Sequence, residues 1–143
     1  MSGSIPEGLE IFVGTWTTTG LVFDRAEDTP THFTATDTFE MMPGGKVMLH
    51  RSEGRRTGTE TSFVAVIRDS GDGYECDTYD RDGTTSHSCA KLDGHDWHID
   101  GDGMRFRGKF DAGFETLSGQ WYRDTDDKPD QLWMQVTLAR QEA

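Results

Sequence analysis

The spacing of apolar residues changes once along this chain. Before residue 14, Ile5, Leu9, Phe12 and Val13 recur at the interval of one helix face. Ser4 and Glu7 have the spacing of a capping box. Pro6 suits a first turn, where its missing N–H costs little, and Gly14 can end the helix. This pattern predicts a short helix over 4–13. From residue 15 the period becomes two, as in strands with one buried face. Strands are expected over 15–23, 32–42, 46–52, 59–68, 74–80, 85–92, 96–100, 104–110, 114–123 and 132–140. Turn chemistry separates them, including Pro30, Pro43-Gly44-Gly45, Gly54 with Gly58, Asp82-Gly83 and an acidic segment over 124–130.

About ten short strands at this spacing predict an all-β barrel or sandwich. Tight turns between consecutive strands favour an up-and-down antiparallel barrel over residues 1–143, a single domain, with the N-terminal helix capping one end. Alternation assigns the walls. Leu132, Met134, Val136 and Leu138 share one face of the last strand, and Met104, Phe106, Gly108 and Phe110 one face of the eighth. Arg105, Arg107 and Lys109 then face solvent. If Met48 points inward, so does His50. Asp37 and Glu40 fall on opposite faces of one strand and cannot form a catalytic pair there.

If Asp82-Gly83 is a two-residue hairpin turn, Thr78 lies opposite His87 and Cys76 opposite Cys89. Tyr74, Cys76, Thr78, Asp80, Thr85, His87, Cys89 and Lys91 then share the less charged face, the expected interior. Three readings stay open for the cysteines: a cross-strand disulfide, a zinc site of Cys76, His87 and Cys89, or two reduced, half-buried thiols. The last is the expectation, with no metal site.

Charge narrows the function classes. Lys and Arg total 14 against 26 Asp and Glu, a net charge of −12. Such a surface repels nucleic acid and anionic membranes. There is no apolar run long enough for a membrane helix and no signal-peptide layout at the start, so a cytoplasmic location is expected. The acidic turns lack calcium-loop spacing. Walker, dinucleotide and nucleophile-elbow motifs are missing. The candidates left are polar groups on apolar strands: His50 and His87 as handles, with Phe39, Met48, Trp97, Phe106, Trp121 and Met134 as ligand-contacting walls.

Several stretches then carry a resemblance. Gly14-Thr15-Trp16 near the start and an arginine ending the last strand are similar to the calycin superfamily of lipocalins, fatty-acid-binding proteins and nitrobindin-like barrels. Thr36-Asp37-Thr38-Phe39-Glu40, Pro43-Gly44-Gly45, Leu49-His50-Arg51, Leu117-Ser118-Gly119-Gln120-Trp121 and Trp133-Met134-Gln135-Val136-Thr137-Leu138-Ala139-Arg140 resemble a bacterial calycin-type family of unknown function. The resemblance implies a barrel around a cavity, with Gly14 and Trp16 at the closed end and Arg140 stacked across the Trp16 ring. Nitrobindin-like proteins hold haem through a late histidine; the last one here is His98, so no cofactor is expected.

The expected function is binding of a small hydrophobic or aromatic molecule. An alternative is a cyclase or isomerase using His50 or His87 for proton transfer. A second is a filled barrel that binds proteins. A homodimer fits as well as a monomer.

Overall fold

The computed structural model describes residues 8–23 and 29–142. Ten antiparallel strands close into one up-and-down barrel, each paired with its sequence neighbours and the last with the first. They are β1 (Gly14–Val22), β2 (Thr31–Met41), β3 (Val47–Arg56), β4 (Thr59–Asp69), β5 (Tyr74–Asp80), β6 (Thr85–Asp93), β7 (Asp96–Gly101), β8 (Met104–Phe110), β9 (Thr116–Arg123) and β10 (Gln131–Arg140). Among the described residues no helix is long and apolar enough to cross a membrane.

The helix expected over 4–13 is, in its described part, a single 3-10 turn at Gly8–Phe12; Ser4, Ile5, Pro6 and Glu7 lie outside the described residues. Its tighter winding buries Leu9, Ile11 and Phe12 and leaves Val13 exposed. The turn enters the lower end of the barrel as a plug. Phe12 meets the rings of Trp97 at 4.8 Å, Phe39 at 5.1 Å and Phe110 at 5.2 Å. Around it Met48, Ile67, Cys76, Ala90 and Leu117 complete a packed floor. Trp16 is buried there, and its indole N–H donates to the Phe12 carbonyl at 2.8 Å.

The upper half is built differently. From β3 to β7 many of the inward side chains are small, Gly54, Thr61, Thr78, Ser86, Ser88 and Gly101 among them, with Phe63 and Ile99 the large exceptions. The facing wall is large and apolar, with Phe33, Phe106, Trp121 and Met134. The Phe106 ring fills the space that side chains at Gly108 and Gly119 would take. Phe63, Trp121 and Met134 face inward yet are only half-buried. In a closed wall, that exposure opens onto the lumen or its mouth.

Three local expectations are corrected. The β5–β6 register is shifted by one residue. Tyr74 pairs with Ala90, Cys76 with Ser88 and Asp77 with His87. The turn is longer than Asp82-Gly83 alone: the Gly83 N–H donates to the Asp80 carbonyl and the Asp80 N–H to that of Thr84, each at 3.0 Å. Gly83 at φ 83° is the left-handed residue closing a three-residue loop. The Asp80 carboxylate accepts the N–H groups of Asp82 and Thr84 at 2.9 Å, which fixes this longer turn. A one-residue slip reverses the faces, so His87 and Cys89 lie on the outer wall while Cys76 stays inside.

Second, β3 runs on through Gly54, and the turn falls at Thr57 and Gly58. Third, an irregularity in β10 between Leu132 and Met134 sets Leu132 opposite Tyr122, on the outer face, where it is 36% exposed.

Candidate functional site

The polar group on the lumen side of the floor comes from β1, β2 and β3. Phe33, Ala35, Asp37, Phe39 and Met41 alternate onto the inner face of β2, which carries Asp37 into a mainly apolar set. Met48, His50 and Ser52 do the same on β3. The register sets Asp37 opposite Trp16 and Ser52, so Thr18 and His50 lie on its diagonals. Diagonal neighbours on one face are within reach of long side chains. His50 Nε2 lies 2.7 Å from Asp37 Oδ1. The Thr18 hydroxyl donates to Oδ2, and Ser52 also bonds the carboxylate.

Asp37 is 5% exposed, a depth at which a lone carboxylate would be neutral. Burial pushes its carboxyl up, but the hydrogen bond and charge of His50, with bonds from Thr18 and Ser52, outweigh that and hold it below its ordinary value. The anion therefore persists, and it fixes the imidazole. Phe39 stacks on the His50 ring at 4.0 Å, and Phe63 meets it edge-on at 5.0 Å. The His50 side chain keeps 16% exposure, from inside the barrel.

The other sequence-derived candidates scatter. Phe39 touches His50; Phe106 packs on Trp121 at 5.0 Å, and Met134 pairs with Trp121 across β9 and β10. Trp121 and Met134 are partly exposed on the inner face, whereas Phe39 and Phe106 are buried in the core. Met48 and Trp97 belong to the packed floor. His87 is on the outside, with Nδ1 2.8 Å from Asp77 and Nε2 3.5 Å from Glu75. Cys76, His87 and Cys89 do not share a face, both thiols are free, and the described residues contain no metal-ligating cluster. Asp37, Thr18 and Ser52 were not among the candidates. The available signal was an aspartate on the apolar face of 32–42; it needed the strand register to be joined to His50.

At the closed end, the Arg140 guanidinium lies over the Trp16 ring, 4.3 Å from its centre, with Gly14 beside it. Two open grooves, of about 570 and 620 Å³, lie on the outer wall around Gln120 and Thr137 and around Glu53 and Arg81. Neither includes Asp37 or His50, and their openness would leave a ligand in contact with water.

No family model and no curated protein matches the sequence. Solved structures do resemble it. The crystal structure of Rv2717c from M. tuberculosis matches with a TM-score of 0.74 at 15% identity, over 93% of this chain and 94% of that one. A de novo designed fluorescence-activating β-barrel matches with a TM-score of 0.50 at 12% identity, over 92% and 95%. The S-type phycobiliprotein lyase CPES from Guillardia theta gives 0.47 at 12% identity, over 94% and 90%. With the first two, at such identities, the shared property is the barrel fold.

Proposed function

We propose that the protein binds a small apolar or aromatic molecule in the upper half of the barrel, with His50 as its polar anchor. The observation that carries this is the partly exposed, inward-facing His50, held by a buried carboxylate beneath an asymmetric lumen. Pockets of this kind combine apolar walls with a few placed polar groups. The small side chains of Thr61, Thr78, Ser86 and Ser88 stand opposite the Phe33, Phe106, Trp121 and Met134 wall. The fold shared with a fluorescence-activating design is in keeping with this reading.

Titration with the neutral aromatic probe N-phenyl-1-naphthylamine tests it. The wild-type chain should bind the probe at one site. Thr78→Trp, which fills the lumen, should abolish binding with an unchanged far-ultraviolet circular dichroism spectrum. Thr137→Trp, on the outer groove, should leave binding intact. Loss in Thr137→Trp alone would refute the lumen reading.

The Asp37–His50 pair favours a second reading: a cyclase or isomerase acting on a hydrophobic substrate. A carboxylate-oriented imidazole is the arrangement of a general base. Proton–deuterium exchange of a bound carbon acid, lost in His50→Ala, would distinguish enzyme from binder.

A further inference from the structure

We infer that the lumen takes a hydroxylated aromatic or enolic ligand, whose O–H donates to Nδ1 of His50. This rests on the lumen reading above and adds the chemical class of the ligand.

The argument begins with the tautomer. Asp37 Oδ1 accepts from Nε2 of His50 at 2.7 Å, so Nε2 carries a proton. In a neutral imidazole the other nitrogen is then a bare acceptor. Nδ1 has no hydrogen-bond partner among the described residues. Every fully buried side-chain nitrogen or oxygen among them has one. Nδ1 is therefore accessible, and since His50 faces inward, it is accessible from the lumen.

Asp37 itself is not the ligand's partner. One carboxylate oxygen holds His50 and the other Thr18, with Ser52 adding a further bond. With the imidazole neutral, the floor offers one lone pair, on Nδ1, and no free donor. A carboxylate ligand would set its charge against that lone pair, beside a buried anion. A neutral O–H satisfies it. The aromatic part follows from the walls: Phe39 and Phe63 flank the imidazole, and Trp121 with Phe106 forms the face above. A flat ring would lie between this face and Thr61, Thr78, Ser86 and Ser88.

The test compares 2-naphthol with 2-methoxynaphthalene, which keeps the ring and removes the donor, by calorimetric titration of the full chain. A site built around an acceptor penalises the ether, because the acceptor is left unpaired. The naphthol should bind roughly tenfold or more tightly. In His50→Phe the two affinities should converge to within about twofold. Equal binding in the wild type would overturn the inference and leave the lumen reading standing, as would a naphthol preference that survives His50→Phe. Failure of both compounds while N-phenyl-1-naphthylamine binds overturns the inference alone; failure of all three sinks both readings. Nitrogen NMR of the wild-type imidazole needs no variant. It should find Nδ1 unprotonated, and perturbed by the naphthol but not by the ether. A proton on Nδ1 of the free, neutral imidazole would refute the inference.

Discussion

Arg140 closes over Trp16 with its guanidinium carbon 4.3 Å from the ring centre, and the same group ties down the chain's beginning. It donates to the carbonyls of Val13 at 2.6 Å, Ile11 at 2.5 Å and Phe114 at 3.2 Å. Trp16→Ala opens a cavity in the floor and should cost about 3–5 kcal/mol in urea denaturation. Arg140→Lys keeps the charge but cannot reproduce the planar fork. It should cost about 1–3 kcal/mol, from the carbonyls it leaves unpaired.

The buried carboxylate makes stability depend on acid. Asp37 titrates below its unfolded value of about 3.9. Folding thus favours its ionised form. The contribution is fully present above the unfolded value and disappears as the pH falls through the lower folded one. Asp37→Asn should lower stability at neutral pH by about 1–3 kcal/mol. The gap between wild type and variant should narrow below about pH 4. A gap that widens in acid would contradict the assigned shift.

The two thiols should react unequally. Cys89 is exposed, whereas Cys76 is buried and bonded to Ser88. Burial pushes the Cys76 thiol up to about 11, so little thiolate exists at neutral pH. Brief alkylation of the folded protein should modify Cys89 alone, and denaturation should release the second site. Mass spectrometry of the intact chain counts the adducts.

A methyl group at residue 54 should be expensive. A Cβ there would lie 2.6 Å from the Thr34 carbonyl oxygen and 2.8 Å from the Ala35 Cβ. Gly54→Ala has to push β3 away from β2, at a cost of about 1–3 kcal/mol. Thermal unfolding would register it.

The barrel was legible because a two-residue period survives local irregularity. Ten strand positions could be read from alternation and turn residues, and the same logic turned His50 inward once Met48 was placed. Register was harder to read. The Asp80 carboxylate lengthened one hairpin by its own hydrogen bonds, and that one-residue slip moved His87 from interior to exterior. Asp37 escaped for a related reason. Its tie to His50 is a diagonal across two strands, invisible until the pairing is known. Leu132 faced outward through an irregularity that interrupts an otherwise regular alternation.

The seam between β1 and β10 joins Trp16 to Arg140, and this has a consequence for synthesis. The cylinder cannot close while residue 140 is still inside the ribosome. Until then β1 and β9 present unpaired edges, each a template for wrong pairing with another chain. The largest loop-closure entropy falls on the final step. Arg140, the last residue of β10, is also the residue that locks the first strand and the plug in place. A nascent chain stalled short of it would hold most of its sheet and none of its latch.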